Sequence, residues 1–306
     1  MRKSAVIALA VAAAVPAVNA QEGQGVVGSA AANAAYSCNP ATCVPPACFC
    51  PSPNPPGGLP PQKIPQFMTL TFDDSINSVV LPIIMNITQS HHNNPNGCPL
   101  AATFFVSAQF SDYWNVQTMY GLGHEIATHT WTHLNTPPGP VEINSAIETI
   151  NTFGGIPKSE LKGFRHPFLL YTNGSIANVA ASKLLYDSSM SLDYTSFPTW
   201  PFTLDNGVPF VCDAIDCPTQ PYKNPGLWEI PLYNLRANPN NSLNAAMDPN
   251  PIPPAITANE ADILTVLKYN FLNRYNSTRL PMGLYIHAGL YTLFVLNALA
   301  VPEPAI

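Results

Sequence analysis

Two adjacent carboxylates close a short apolar run: Gln66-Phe67-Met68-Thr69-Leu70-Thr71-Phe72 leads straight into Asp73-Asp74. Like charges at that spacing repel, which costs stability unless a metal ion or another cation offsets it. Downstream, His129 and His133 stand four residues apart in His-Thr-Trp-Thr-His. A carboxylate plus two histidines is the ligand set of an open, catalytic metal site. The spare aspartate is then free to act as a base on water activated by the ion.

Such groups need elements that hold them together. The run 66–72 alternates apolar and small residues and reads as a strand. Further strands are expected at 101–106, 125–128, 163–165, 184–188, 228–233 and 283–287. Helical periods lie between several of them. The stretch 140–152 carries Val141, Ile143, Ala146, Ile147 and Ile150, and 259–275 carries Ile263, Val266, Leu267, Phe271 and Leu272 on one side. Alternating β and α segments predict a parallel sheet or barrel, with chemistry at the C-terminal strand ends. Asp73, Asp74, His129, Arg165, Asp187 and His287 all fall at or just beyond such ends.

The bulk properties narrow the partners. Net charge is −6 and only 10% of residues are charged, which argues against nucleic acid and for a neutral polymer. Residues 1–20 read as a secretory signal: Arg2 and Lys3, an apolar stretch from Ala5 to Val15, and the cleavage sequence Val18-Asn19-Ala20. That apolar run is too short to span a membrane, so no stable insertion is expected. Residues 21–37 are small and polar and read as disordered, and 38–65 join a cysteine cluster to a proline-rich linker. The remainder, 66–306, reads as one domain.

Seven cysteines in a secreted chain imply disulfides. Cys212 and Cys217 are close enough to staple one loop, while Cys38, Cys43, Cys48, Cys50 and Cys98 share the rest in an order the sequence does not give. Zinc binding by the first four is the competing reading, and the odd count leaves one thiol over. Asn86, Asn173, Asn240 and Asn276 each head a glycosylation sequon.

Four motifs then stand in order: Thr71-Phe72-Asp73-Asp74, His129-Thr130-Trp131-Thr132-His133, Arg165-His166-Pro167-Phe168 and Leu284-Tyr285-Ile286-His287. With Tyr186-Asp187-Ser188-Ser189 and Gly226-Leu227-Trp228-Glu229-Ile230-Pro231, the chain resembles the polysaccharide deacetylases (NodB homology domain, carbohydrate esterase family 4), chitin deacetylase-like branch. The resemblance implies an α/β fold, a distorted (β/α)7-type NodB barrel. It implies that Asp74, His129 and His133 bind one divalent ion, Zn²⁺ in the first place with Co²⁺ as the alternative. Histidines at i and i+4 share a helical face, so both rings can reach one ion. Asp73 is the implied base, held by Arg165 through paired hydrogen bonds. The backbone N–H of Phe168 is the implied oxyanion donor and His287 the implied acid, with Asp187 as the candidate partner that keeps it protonated.

Other polar and aromatic residues invite plainer readings. His166 fills a variable place in the third motif and reads as a loop residue. Trp131, Tyr171, Trp200 and Trp228 can stack on sugars or fill the core. The chain also ends soon after His287, where family members close the barrel, so an incomplete barrel with an open edge beside the His287 strand is expected. The function implied is extracellular deacetylation of chitin or chito-oligosaccharides, in a cell wall or matrix. A deacetylase of peptidoglycan or acetyl-xylan, another amide hydrolase of this fold, and a non-catalytic polysaccharide-binding protein are the alternatives.

Overall fold

A computed structural model describes residues 36–89, 94–193, 195, 197–209, 222–236, 246–248 and 260–287. The expected signal, nearly all of 21–37, His91 and His92, Cys212, Cys217, Asn240 and the tail 288–306 lie outside the described residues.

The chain alternates strand and helix as expected. In order run β1 (Met68–Asp74), α1 (Leu81–Gln89), β2 (Thr103–Val106), α2 (Tyr113–Gly121), β3 (Glu125–Thr128), α3 (Pro140–Gly154), β4 (Gly163–Phe164), α4 (Asn173–Ala181) and β5 (Tyr186–Asp187). Then follow β6 (Ser191–Leu192), β7 (Phe202–Thr203), β8 (Trp228–Glu229), β9 (Leu232–Tyr233), α5 (Glu260–Tyr275) and β10 (Met282–His287). Eight strands form one curled sheet in the order β10-β1-β2-β3-β4-β5-β8-β7, every pair parallel except β7–β8. The expected strand at 228–233 is two strands: β9 leaves the main sheet and pairs with β6. Pro231 stands at the break, where a residue without an N–H cannot continue a ladder.

Register explains how one sheet carries both a core and a site. Ile286, Phe72, Phe104 and Ile126 are aligned neighbours across β10, β1, β2 and β3, and all are buried in the main apolar cluster. Phe72 and Phe104 stack 5.2 Å apart. One residue on, the aligned row is His287, Asp73, Phe105 and Ala127. Side chains alternate faces along a strand, so this row points to the opposite side. Phe105 and Ala127 pack there with Tyr186 in a separate cluster.

Local chemistry sets the helix ends. Pro140 begins α3, and Gly155 ends it in the left-handed conformation that favours glycine, at φ +67°. Thr172 and Ser175 open α4 with a capping box. In α5 the buried face is Ile263, Val266, Leu267, Asn270 and Arg274. Leu272 was expected on it but is exposed, because it lies nearly opposite on the 3.6-residue period. Asn270 instead turns inward and clamps the backbone of Arg236 through Oδ1 and Nδ2.

The cysteine cluster resolves into Cys38–Cys50 and Cys43–Cys48, which removes the zinc reading for these four; Cys98 is free and exposed. The segment lies along the edge strand: Thr203 N–H donates to the Phe49 carbonyl (3.0 Å) and Trp200 N–H to the Ser52 carbonyl (2.9 Å). Phe49 also stacks on Trp228. It thereby covers the β7 edge, which would otherwise present unpaired backbone groups.

Candidate active site

The C-terminal ends of β1, β3, β4 and β10 converge on a cleft lined by Asp73, Asp74, His129, His133, Phe168, Leu169, Met247 and His287. Asp73 sits on the inward-facing row, almost fully buried. Arg165 Nη1 donates to its Oδ1 at 2.6 Å and to Thr71 Oγ1 at 2.9 Å. Nε and Nη2 of the same guanidinium go to the carbonyl and hydroxyl of Ser188, at 2.7 and 2.9 Å. Its Cζ lies 4.0 Å from the Phe105 ring centre. Arg165 therefore holds Asp73 through one hydrogen bond rather than the expected pair, since Ser188 takes the other edge of the fork. Asp73 Oδ2 has no hydrogen-bond partner.

His129 follows β3, with its N–H bonded to the Val106 carbonyl. Its Nδ1 lies 2.8 Å from the Arg165 carbonyl and donates to it, which leaves Nε2 with a lone pair. Burial pushes His129 down to about 4 against the pull of Asp73 and Asp74, so the ring is neutral at pH 7. Nε2 lies 3.8 Å from Asp74 Oδ1, and His133 Nε2 lies 3.1 Å from the same oxygen. Burial raises Asp74, but the His133 contact and the neighbouring histidine charges outweigh it and hold the carboxyl at about 2.

These three residues fit a cation. Asp74 Oδ1 is buried, and the approach of His133 misses hydrogen-bond geometry, so the oxygen has no such partner. The three ligand atoms lie within 4.8 Å of one another. A tetrahedral shell with bonds of about 2.1 Å has edges of about 3.4 Å.

The two histidines do not share a helix. Residues 129–133 form an irregular turn in which Thr130 (φ 71°) and His133 (φ 53°) take left-handed conformations. Thr130 Oγ1 accepts the His133 N–H at 3.1 Å. Glu142, in the first turn of α3, braces the turn from outside. Its Oε2 accepts the N–H of Trp131 (3.1 Å) and of Thr132 (2.9 Å), and its Oε1 accepts the Thr132 hydroxyl (2.8 Å). The turn brings both rings together, 5.1 Å apart. The i, i+4 spacing is shared by helix and turn, so it could not distinguish them.

Phe168 begins the opposite wall. Its backbone is left-handed (φ 55°), and its ring sits 4.8 Å from that of His133. Among the described residues ten non-glycine positions have positive φ, and six of them are Asp74, Thr130, His133, Phe168, Leu169 and Asp248 around this cleft. Such conformations cost about 1–3 kcal/mol each and concentrate where geometry serves chemistry.

His287 ends β10. Its partner is Asp248, not Asp187: His287 Nδ1 lies 2.5 Å from Asp248 Oδ2, and its N–H bonds Asp248 Oδ1 at 2.8 Å. Burial opposes charge on His287, but the bond to Asp248 with the charges of Asp73, Asp248 and Asp74 outweighs it and lifts the imidazole to about 9. Asp187 is fully buried elsewhere, where its Oδ1 meets His166 Nδ1 (3.1 Å) and the Ser189 hydroxyl (3.0 Å). Its alignment with Phe164 and Glu229 puts it on the row next to the catalytic one. His166 lies in the loop after β4, as expected, but it is fully buried there and its Nε2 meets Ser175 Oγ at 3.0 Å. Burial, with Asp187 beside it, pushes Glu229 well above the usual carboxyl range.

Asp248, Glu142 and Ser188 carry site geometry that the sequence reading did not assign. Ser188 and Glu229 lie inside the stretches Tyr186-Asp187-Ser188-Ser189 and Gly226-Leu227-Trp228-Glu229-Ile230-Pro231. Asp248, in Ala-Met-Asp-Pro-Asn, belongs to no motif, and Glu142 looks like an ordinary acidic first-turn residue.

Known proteins match the same regions. A family model described as polysaccharide deacetylase matches residues 62–185, which include Asp73, Asp74, His129, His133 and Arg165. Chitin deacetylase 1 of Bombyx mori is 30% identical over 246 residues, covering 74% of this chain and 44% of that protein. Chitin deacetylase 8 of the same organism is 34% identical over 235 residues, covering 73% of this chain and 60% of that protein. The chain thus spans about half the length of the curated relatives it matches. A candidate polysaccharide deacetylase of known structure from Mycobacterium smegmatis shares the fold, with a TM-score of 0.50 at 14% identity over 78% of this chain and 84% of that one. The chain is similar to the polysaccharide deacetylase family and, within it, to the chitin deacetylases.

Proposed function

We propose that this chain is a metal-dependent N-deacetylase of chitin or chito-oligosaccharides that works outside the cell. The observation that carries the reading is the pair of unequal carboxylates. Asp73 is fixed by Arg165 with one oxygen left over, while Asp74 faces two imidazole nitrogens. One is built as a base and the other as a ligand.

A divalent ion held by Asp74, His129 and His133, for which Zn²⁺ suits the N₂O donor set and Co²⁺ is the alternative, supplies Lewis-acid activation of water and of the acetyl carbonyl. Asp73 Oδ2 takes the proton from water as its oxygen bonds to the acetyl carbon. Phe168 lines the cleft, and its backbone N–H is our proposed donor to the carbonyl oxygen as that oxygen gains charge. When the C–N bond breaks, protonated His287 gives a proton to the departing amine nitrogen, so acetate and a free amine leave. Asp248 keeps that proton available. Asp187 takes no direct part; its bonds with His166 and Ser189 brace the stretch that carries Arg165.

Two disulfides among the described residues support an oxidising, extracellular setting. No described helix is long and apolar enough to cross a membrane. Acetate release from chitin oligomers, acetyl-xylan and peptidoglycan, measured side by side, tests the substrate. Release from chitin oligomers above the others is expected. A preference for acetyl-xylan or peptidoglycan would replace the substrate class, and binding without release from any would make the chain a binding protein.

A further inference from the structure

Three of the four glycosylation sequons lie among the described residues, and the fold treats them differently; Asn240 lies outside. An N-linked glycan is bulky and hydrated, so its asparagine must stand free on a surface turn. Asn173 does not. It opens α4, and its Oδ1 accepts the N–H of buried Tyr222 at 2.7 Å. The third residue of that sequon, Ser175, is buried, with its hydroxyl held between His166 and the Thr172 backbone. Asn86 lies inside α1, and the hydroxyl of Thr88, which completes its sequon, is buried against the Ile84 carbonyl at 3.0 Å.

Asn276 is placed otherwise. It follows the last residue of α5 and stands with Ser277 in an exposed turn. The turn satisfies its own backbone. Asn276 N–H bonds the Leu272 carbonyl (3.0 Å), and the N–H groups of Ser277 and Arg279 both bond the Arg274 carbonyl (3.2 and 2.9 Å). Thr278 Oγ1 accepts the Leu280 N–H at 3.3 Å. None of these bonds uses the Asn276 carboxamide. Beside it Leu272 and Tyr275 are 51% and 43% exposed. Leu272 precedes Asn276 by four residues, so the two share a face, and a sugar lying there would take apolar surface out of water. The turn leads into the first residue of β10, whereas the cleft stands at its last, His287. A six-residue strand separates those ends by about 17 Å, so a glycan at Asn276 leaves the cleft open.

We propose that Asn276 carries an N-linked glycan and that Asn173 does not. In the transfer, Asn276 Nδ2 loses one proton and bonds to the anomeric carbon of an oligosaccharide activated as a diphosphate ester. The bond from that carbon to the diphosphate oxygen breaks, and the diphosphate leaves with the electron pair. The site rests on the extracellular reading, which takes the chain through a secretory route, and the test separates the two.

The full chain, with its own residues 1–20, is expressed in insect cells and treated with peptide N-glycosidase, which converts a glycosylated asparagine to aspartate. Peptide mass mapping then reads each sequon, and the state of Cys38, Cys43, Cys48 and Cys50 is read on the same sample. Conversion at Asn276 and none at Asn173 is expected. Asn276→Gln and Thr278→Ala should each lose one glycan from the intact mass, while Thr278→Ser, which keeps the sequon, should retain it. Unconverted Asn276 in a chain with both disulfides formed, or conversion at Asn173, would overturn the site and leave the extracellular reading standing. No conversion at any sequon, with those four cysteines reduced, would overturn both.

Discussion

The two sides of the cleft are built differently. On the base side, the side chains of Asp73, His129 and Arg165 are at most 2% exposed, and each is fixed by a fully buried partner. On the acid side, His287 and Asp248 remain 34% and 30% exposed. The contrast follows from what each group must do. A base and its orienting cation need fixed geometry, which the low-dielectric interior makes strong. A group that gives and regains a proton needs access to water, and Asp248, with the charges of Asp73 and Asp74, holds its charge.

The largest break of this contrast is on the base side. Asp73→Asn keeps the shape and removes the proton acceptor, so kcat should fall by about 10³-fold or more while the divalent ion still binds. Kinetics and metal titration on one sample check both halves. On the acid side, Asp248→Asn should cost about 10- to 100-fold at pH 9 and move the alkaline limb of the kcat profile to lower pH. An unmoved limb would mean that Asp248 does not set the acid.

The same pair gives a stability signature. His287 is lifted above the value it has unfolded. Its contribution is therefore fully present below about pH 6.5 and lost as pH rises through about 9. The metal-free protein should lose thermal stability across that window, and Asp248→Asn should lose less. A smaller effect belongs to the brace of the histidine turn. Glu142→Ala should loosen the divalent ion by about 10-fold in a chelator competition, with Glu142→Gln closer to wild type. Smallest of all is Glu229→Gln. Burial and Asp187 push the carboxyl well above its usual range, which favours its neutral form, so a neutral amide should change activity less than about 3-fold.

The same contrast explains what could be read from the sequence. The base side comes from residues at strand ends, where alternation and the βα order place them without tertiary detail. Asp73, Asp74, His129 and Arg165 are legible that way, as is the strand-end position of His287 on the acid side. Asp187 is legible as a residue at a strand end, but it pairs with His166 rather than with His287. His287 pairs across 39 residues with Asp248, and no local period encodes so distant a pairing. The irregular turn of His129–His133 was hidden by a spacing it shares with helices. Leu272 shows the converse: its apolar character suggested a buried face, but helix geometry gave that place to Asn270 and Arg274.

The central claim is that the Asp74, His129 and His133 cluster supports amide hydrolysis by Asp73. It is tested most directly by acetate release from chitin oligosaccharides by the wild type and Asp73→Asn, each with chelator and again after added Zn²⁺. The expected result is release that chelator abolishes and Zn²⁺ restores in the wild type, and almost none in Asp73→Asn despite bound metal. Release that persists in chelator, or an Asp73→Asn rate close to wild type, would contradict the account.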